Sequence, residues 1–388
     1  MRKIHPPSYE PNISSKLLLL DLSTFGKIHR GGKDEVAYNL LRGFSDLGYS
    51  TQIICTAKEE LIETIHKIDP RYTIIPVKRV QFEGRIGDLL GGLTSIFYGF
   101  GLRRIIKKAN CVSVLFTNKL SPLIRQPVKT WLIPHDIQLF QILEESKGLK
   151  SYTRAYVSLI KYNFHIVDKI IAISDFDKQE MIRFLPQYEQ KITRIYDPIR
   201  FKTVEADLRK HFITALNICY DHKNVITLVK AYALIANSID EDLVLVGRIE
   251  DRPWVKKANE IIEKYHLEKR VRFTGFVSED TMKNIISATR IFVNPSKFEG
   301  FGMVAIEMME NKVPTIVANN TAQFETTIGL CRYYQPATDE KALAKEIMAE
   351  LTHPTTDQRL DEISKSIKEK YDYKTIAKEY WEKIMLED

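Results

Sequence analysis

The chain has 388 residues, of which 44% are hydrophobic and 28% are charged, a balance typical of a soluble protein with more than one folded domain. Its four cysteines are widely spaced and form no C-x-x-C pair, which argues against a zinc ribbon or a disulfide framework and favours a reducing compartment. The first apolar run, 17–20, is too short for a signal peptide, so none is expected.

Charge is distributed unevenly along the chain. Residues 1–200 contain 30 Lys and Arg against 20 Asp and Glu, whereas the remainder contains 27 against 30. This asymmetry predicts an anionic partner for the first half. No run of five basic residues and no nucleic-acid-binding motif is present, so a lipid surface or a phosphate-bearing acceptor is favoured over nucleic acid. A solvated basic surface without a partner is the alternative.

The first half alternates strand and helix patterns. The apolar segment Leu17–Asp21 predicts a buried strand, which leads through a glycine-containing loop to a helix with apolar positions from Val36 to Leu47. Gly48 ends this helix, so the segment begins like a Rossmann fold. Further strands are predicted at 51–55, 72–75, 112–116, 130–133 and 169–173, and helices at 137–145, 152–165 and 177–184.

A second strand and helix cycle begins near residue 213. Strands are predicted at 215–219, 242–246, 271–274, 291–294 and 315–317, and helices at 225–236, 253–265, 279–286 and 304–310. The alternation lapses over 196–210, where we place a domain boundary. The predicted organisation is therefore an α/β chain with Rossmann-like domains at 1–200 and 201–371, followed by a terminal helix at 372–388.

One motif in the second domain carries most of the functional information. The predicted strand 291–294 runs into a glycine-flanked loop that opens a helix, with Glu299 at the helix entrance and Glu307 eight residues later. At 1.5 Å per residue the two acids stand at most roughly 12 Å apart along the axis, the span of a sugar joined to a nucleoside through a diphosphate. The unpaired amides at the helix start favour a phosphate between them. A surface turn with two unrelated glutamates is the alternative.

The context of this motif resembles the donor-binding region of the retaining glycosyltransferases of family 4, which have the GT-B fold. The shared features are the preceding Pro-Ser, the following strand 313–317, Glu325 after a polar loop, and the Gly300, Phe301 and Gly302 run. The resemblance implies that Glu299 contacts the transferred sugar and Glu307 the ribose hydroxyls. It also implies two Rossmann-like domains that face each other across a cleft, with the terminal helix crossing back to the first domain.

Two first-domain passages also match this family. The resemblance places Gly31 and Gly32 in the loop that faces the donor diphosphate and the acceptor, although an ordinary tight turn would look the same. It places His135, after a predicted strand, against the transferred sugar. Asp136 and Ser174 are predicted to cap the helices that follow them, and Ser174 is secondarily a ligand contact.

In the second domain, Lys223 matches the lysine that neutralises the donor diphosphate. The family's arginine five residues earlier is replaced by Ile218, and Arg248 is either its substitute or a plain surface residue. Phe276 and Val277 match a stretch whose backbone meets the nucleobase, so UDP-, GDP- and dTDP-sugars are not distinguished. No metal and no cofactor are expected, because GT-B enzymes of this type hold the diphosphate with cations and helix amides.

The segment 86–108 is apolar and then basic, ending with Arg103, Arg104, Lys107 and Lys108. Its uncharged part is too short to span a bilayer. It is predicted either to lie at an anionic membrane surface or to be a core helix with a basic end.

The resemblance implies transfer of a hexosyl or deoxyhexosyl group from a nucleotide diphosphate sugar to an acceptor hydroxyl, with retention of configuration. The basic first domain suggests a polyprenyl-diphosphate-linked saccharide acceptor in capsule or O-antigen lipopolysaccharide assembly, and hence a cytoplasmic enzyme peripheral to the inner face of the plasma membrane. Two alternatives remain: a nucleotide-sugar epimerase of GT-B fold, and a non-catalytic, membrane-associated partner of another glycosyltransferase, which the missing arginine supports.

Overall fold

The computed structural model describes residues 16–26, 31–79, 85–135, 137–138, 140–141, 151–204, 211–249 and 252–387. Asp136 and most of the predicted helix 137–145 lie outside the described residues.

The first domain is built on a parallel sheet of seven strands in the order β3-β2-β1-β4-β5-β6-β7. The strands are β1 (Leu17–Asp21), β2 (Ile53–Ala57), β3 (Thr73–Pro76), β4 (Cys111–Phe116), β5 (Lys129–Leu132), β6 (Lys169–Ala172) and β7 (Ile192–Arg194). The helices described between them are α1 (Gly32–Asp46), α2 (Ile62–Ile68), α3 (Arg85–Ala109), α4 (Ser151–Ile166) and α5 (Asp175–Phe184).

The second domain is built on a parallel sheet of six strands in the order β10-β9-β8-β11-β12-β13. The strands are β8 (Phe212–Leu216), β9 (Asp242–Val246), β10 (Val271–Gly275), β11 (Thr289–Asn294), β12 (Thr315–Ala318) and β13 (Arg332–Tyr334). The helices are α6 (Val225–Ile235), α7 (Pro253–Lys264), α8 (Glu279–Ser287), α9 (Met303–Glu310), α10 (Gln323–Thr326), α11 (Glu340–Thr352), α12 (Asp357–Tyr371) and α13 (Tyr373–Met385).

Strand β1 shows why these strands read as continuous apolar runs. Every residue of β1 is buried, with Leu18 and Leu20 in the core that includes α1 and Leu17 and Leu19 in the core that includes α4. Both faces of a parallel sheet are covered by helices, so the alternation of an exposed strand is lost. The two Rossmann-like domains predicted from this pattern are confirmed.

Several predicted boundaries were wrong. Strand β2 starts two residues later than predicted because Ser50–Gln52 forms a turn of 3₁₀ helix. Strand β8 lies three residues before the predicted 215–219, since Asn217 adopts a left-handed φ of 58° that ends the strand. The edge strands β7 and β13 have three residues each and were missed, because so short an element carries no periodicity.

The terminal helix α13 lies against α1 of the first domain. A side chain at Gly43 would overlap Ala377 and approach the carbonyl oxygen of Tyr373 to 2.7 Å, so glycine permits the close approach of the two helices. The rings of Phe44 and Trp381 pack edge to face at 5.9 Å. Between the domains, the backbone amide of Ile199 donates a hydrogen bond to the backbone carbonyl oxygen of Tyr371. This bond anchors the end of α12 to the first domain.

Candidate functional site

A cleft of about 850 Å³ lies between the domains, at the carboxyl ends of strands from both sheets. Parallel α/β sheets bind ligands at this edge because the loops and helix N-termini converge there. All but one of the residues predicted to form the site line this cleft: Gly31, Gly32, His135, Lys223, Phe276, Glu299, Gly300, Phe301, Gly302 and Glu307.

Glu299 and Lys223 form an ion pair inside the cleft. The Lys223 Nζ to Glu299 Oε1 distance is 2.7 Å, and the side chains are only 14% and 13% exposed. Burial disfavours ionisation of Glu299, but the Lys223 ammonium outweighs it and holds the pKa of that carboxyl below its ordinary value. Each charge therefore neutralises the other in this arrangement.

Local backbone geometry positions both members of this pair. Lys223 ends the 3₁₀ turn Asp221–Lys223, and the next residue, Asn224, has a left-handed φ of 56° that starts α6. The Asn224 Nδ2 donates to the carbonyl oxygens of Pro295, at 3.0 Å, and Ala337, at 2.7 Å. The lysine loop is thus fastened to the loop that carries Glu299.

Helix α9 presents its N-terminus to the cleft. Its N-cap is Gly302, with a φ of 85° and no side chain to occupy the first amides of the helix. Such a terminus favours an anion through its unpaired amides and its dipole. Phe301, by contrast, is 3% exposed and packs against Tyr196 and Tyr371, so its main contacts are with the core.

Glu307, one turn into α9, faces the first domain. Burial and the negative charge of Glu35 on α1 raise the pKa of Glu307 to about 7, and Lys202 opposes that shift. Neither Glu35 nor Lys202 stood out in the sequence, because Glu35 reaches the cleft from the first domain and Lys202 from the segment next to the domain boundary.

The first-domain wall depends on unusual backbone conformations. Gly31 caps α1 with a φ of 131°, a region that side chains rarely adopt. A side chain at Gly32 would lie 3.4 Å from the sulfur of Met303, so the two domains come close at this point. His135 has a left-handed φ of 66°, a conformation that is costly for a residue with a Cβ and is often found at functional sites.

Four other residues weighed in the sequence have different positions. Phe276 is 88% exposed and lines the cleft, whereas Val277 packs against the cluster of Val244, Val246 and Ile285 and does not line the cleft. Ile218 is 1% exposed, and Arg248 is an exposed residue that does not line the cleft. In the described part of the chain, the cations on the cleft wall are Lys33, Arg42, Lys202 and Lys223.

A clasp joins the domains beside the cleft. The two carboxylate oxygens of Glu325 accept hydrogen bonds from the backbone amides of Asp175, at 2.7 Å, and Phe176, at 2.9 Å. Ser174 caps α5, as predicted, by accepting from the amide of Asp177, and it donates to the Gly300 carbonyl oxygen at 2.8 Å. The second domain thus supplies a carboxylate to the positive end of a first-domain helix.

Among the described residues, no cluster of three or more His, Cys, Asp or Glu side chains could hold a metal ion. Within the same residues, no helix combines the length and the apolar character that crossing a bilayer would require.

Comparisons with known proteins show what the sequence is similar to. Residues 198–367 match the family model described as glycosyl transferases group 1. The O-antigen chain mannosyltransferase RfbU of Salmonella typhimurium is 25% identical over 328 residues, which cover 84% of this chain and 88% of that protein. The serotype-specific mannosyltransferase WbdA of Escherichia coli is 25% identical over 212 residues, which cover half of this chain but only 26% of WbdA.

Solved structures match over nearly the whole chain. Sucrose-phosphate synthase from Thermosynechococcus elongatus superposes with a TM-score of 0.73 at 17% identity, covering 94% of this chain and 97% of that one. HepE from Anabaena, solved with UDP and glucose, gives a TM-score of 0.68 at 17% identity, covering 95% and 99%. The chain therefore has the GT-B fold, and its residues 198–367 carry the sequence pattern of the group 1 glycosyl transferases.

Proposed function

We propose that this protein transfers a sugar from a nucleotide diphosphate sugar to an acceptor hydroxyl in the assembly of a cell-surface polysaccharide, with retention of configuration. The observation that carries the proposal is the Lys223–Glu299 pair at the uncapped N-terminus of α9, inside a cleft between two Rossmann-like domains. The relatives RfbU and WbdA are named mannosyltransferases, so mannose is the first sugar to test.

The cleft contains the groups that such a transfer requires. Lys223 and the α9 amides would neutralise the diphosphate as it leaves, because a cation and fixed N–H dipoles stabilise the developing negative charge. Glu299 would hold the transferred sugar together with His135, and Glu307 would accept hydrogen bonds from the ribose hydroxyls. Phe276 offers an exposed ring face where the nucleobase would enter.

The proposed acceptor is a polyprenyl-diphosphate-linked saccharide at an anionic membrane surface, on the inner face of the plasma membrane. Helix α3 supports this through two exposed aromatic residues, Phe97 at 76% and Phe100 at 54%. Its opposite face is buried, with Leu102 and Ile106 in the core of the first domain. The helix is therefore core-packed on one side and carries an apolar and basic surface on the other.

A donor panel tests the proposal directly. UDP-, GDP- and dTDP-sugars would be incubated with saccharide acceptors, and products would be identified by mass spectrometry. Glu299→Gln keeps the shape of the side chain but removes its charge, so the rate should fall on the order of 10²–10³-fold. Glu260→Gln, an exposed acid on α7, is the matched control and should keep the wild-type rate.

The same panel separates the alternatives. An epimerised sugar without acceptor would indicate the epimerase, and tight donor binding with no product would indicate a non-catalytic partner. Wild-type turnover in Glu299→Gln would show that the transferred sugar lies elsewhere.

A further inference from the structure

We infer that Asp197 binds a hydroxyl group of the sugar that occupies the cleft, as a contact additional to Glu299 and His135. The inference rests on the proposed function, since it deepens the description of the same site. Asp197 follows β7 and lines the cleft from the first domain, on the same wall as Gly31 and Ile173.

One oxygen of the Asp197 side chain is buried without a hydrogen-bond partner. The residue is 3% exposed, and its Oδ1 atom makes no hydrogen bond to any group in the described part of the chain. A buried polar atom left unpaired is costly because it loses its hydrogen bonds to water without replacement, so native proteins rarely keep one without a reason. A ligand that brings a hydrogen-bonding group to this wall would remove that cost.

The backbone on both sides of Asp197 is fixed. The Pro198 carbonyl oxygen accepts a hydrogen bond of 3.0 Å from Asn39 on α1, and the Ile199 amide donates to Tyr371 at 2.9 Å. On the other side, the ring of Tyr196 packs against Phe301 at a centroid distance of 6.0 Å. The backbone that carries Asp197 is therefore fixed before a ligand arrives, which lowers the entropic cost of binding.

The protonation state of Asp197 suits a hydroxyl partner. Burial raises the pKa of Asp197 to about 8, so the group is mostly a neutral acid at pH 7. A neutral carboxyl group presents one O–H donor and one carbonyl acceptor. A sugar hydroxyl offers the complementary acceptor and donor, which neither an alkyl group nor an unprotonated phosphate oxygen can do.

Nucleotide-sugar titrations test this inference without requiring turnover. Wild type, Asp197→Ala and Asp197→Asn would be titrated with UDP-glucose and UDP, and with GDP-mannose and GDP. If the hydroxyl belongs to the donor sugar, Asp197→Ala should lower the affinity for the nucleotide sugar about tenfold. The affinity for the free nucleotide should stay unchanged. Asp197→Asn, which keeps a donor and an acceptor, should recover most of the loss.

A transfer assay covers the acceptor as the other source of the hydroxyl. With the active pair from the donor panel, Asp197→Ala should then raise KM for the acceptor about tenfold while donor affinity stays at the wild-type value. Tyr380→Phe is the control, because the Tyr380 hydroxyl is also buried without a hydrogen bond in the described part of the chain. Burial and the charge of Asp197 raise the pKa of Tyr380. Tyr380→Phe should change neither readout.

Three results would overturn the inference. The first is unchanged binding and transfer in a folded Asp197→Ala. The second is an equal loss of affinity for the free nucleotide and for the nucleotide sugar. The third is that Tyr380→Phe weakens binding of the nucleotide sugar or the acceptor as much as Asp197→Ala does. Failure of the proposed function looks different, since no donor and acceptor pair would then give product with the wild-type protein.

Discussion

The two walls of the cleft are held in different ways. On the second-domain wall, Lys223 and Glu299 come from adjacent loops of one sheet and pair through opposite charges at 2.7 Å. On the first-domain wall, Gly31 and His135 are held by left-handed or otherwise unusual backbone conformations, and Asp197 by its backbone neighbours. A close ion pair organises the second-domain wall. Backbone geometry positions Gly31, His135 and Asp197 on the first-domain wall, which also carries the longer pair of Arg42 and Glu35 at 3.5 Å.

This difference has a functional consequence. An ion pair formed in the free protein must be broken or shared when a diphosphate arrives, so the anion competes with Glu299 for Lys223. On the first-domain wall the pair between Arg42 and Glu35 is longer, at 3.5 Å, and the contribution of this wall also depends on how closely the domains approach. Substitutions of Lys223 or Glu299 on the second-domain wall should therefore change the charge balance of the cleft. Substitutions at the contact between the domains should change how far the cleft closes.

Removal of Lys223 should have the largest effect. Lys223→Ala leaves the buried Glu299 carboxylate without its cation and leaves the leaving diphosphate without its neutralising charge. Transfer should fall on the order of 10²–10³-fold, and affinity for free nucleoside diphosphate should fall as well. Initial rates and isothermal titration measure the two losses.

Lys297→Ala is the matched control for Lys223→Ala. Lys297 is exposed, lies two residues from Glu299 and does not line the cleft, so its loss removes the same charge without touching the pair. Equal effects of the two variants would mean that net charge, and not the ion pair, determines the transfer rate and the nucleotide affinity.

Substitution of Glu307 should have the next largest effect, and that effect should depend on pH. Ribose hydroxyls donate to an ionised carboxylate, so donor affinity should rise as pH increases through about 7, the pKa of Glu307, and level off above it. Loss of a charge-assisted hydrogen bond is worth about 1.5–3 kcal/mol, so Glu307→Gln should weaken donor binding at pH 8.

Stability should show the opposite trend. The folded pKa of about 7 exceeds the ordinary value of 4.5, so between these values the folded chain holds more protons than the unfolded chain and stability falls as pH rises. Glu307→Gln should abolish this part of the pH dependence. Titration and thermal unfolding at pH 5, 6, 7 and 8 measure both trends, and identical profiles for variant and wild type would refute the assignment.

Loss of the clasp should have a moderate effect on transfer through domain closure. Glu325→Ala removes two charge-assisted hydrogen bonds to the start of α5. We expect faster hydrogen exchange at the amides of Asp175 and Phe176, a larger radius of gyration, and transfer lowered by roughly tenfold. Glu268→Ala, an exposed acid of the second domain, should leave all three unchanged.

Charge reversal on α3 should have the smallest effect on nucleotide binding and act on membranes instead. Arg104, Lys107 and Lys108 are exposed, whereas Arg103 is partly buried and donates to the Arg125 carbonyl oxygen at 2.9 Å. Each basic residue near an anionic membrane contributes about 1 kcal/mol to the free energy of membrane binding. Salt screens this attraction over a Debye length of about 8–10 Å.

Reversal of the three exposed charges to glutamate should therefore abolish sedimentation with anionic vesicles at low salt and leave nucleotide affinity intact. Reversal of Lys256, Lys257 and Lys341 on the second domain removes equal charge from another surface and should not. If the α3 variant and the second-domain variant sedimented equally with anionic vesicles, the role of α3 would be purely structural.

The sequence by itself determined the architecture and most of the residues on the second-domain wall of the cleft. Periodicity identified the long strands and helices, because burial on both faces of a parallel sheet forces continuous apolar runs such as β1. The family resemblance singled out Glu299, Lys223 and Glu307, because the loops between a strand and the next helix place these side chains a fixed number of residues from recognisable elements.

Only the tertiary structure decided what faces these residues across the domain boundary. The Glu325 clasp, the closeness of Glu35 to Glu307 and the position of Asp197, with its unpaired Oδ1 atom, on the cleft wall each depend on how the two domains meet. Such contacts join residues far apart in the chain, here 150 positions for Asp175 and Glu325, so no local pattern of propensity or spacing records them.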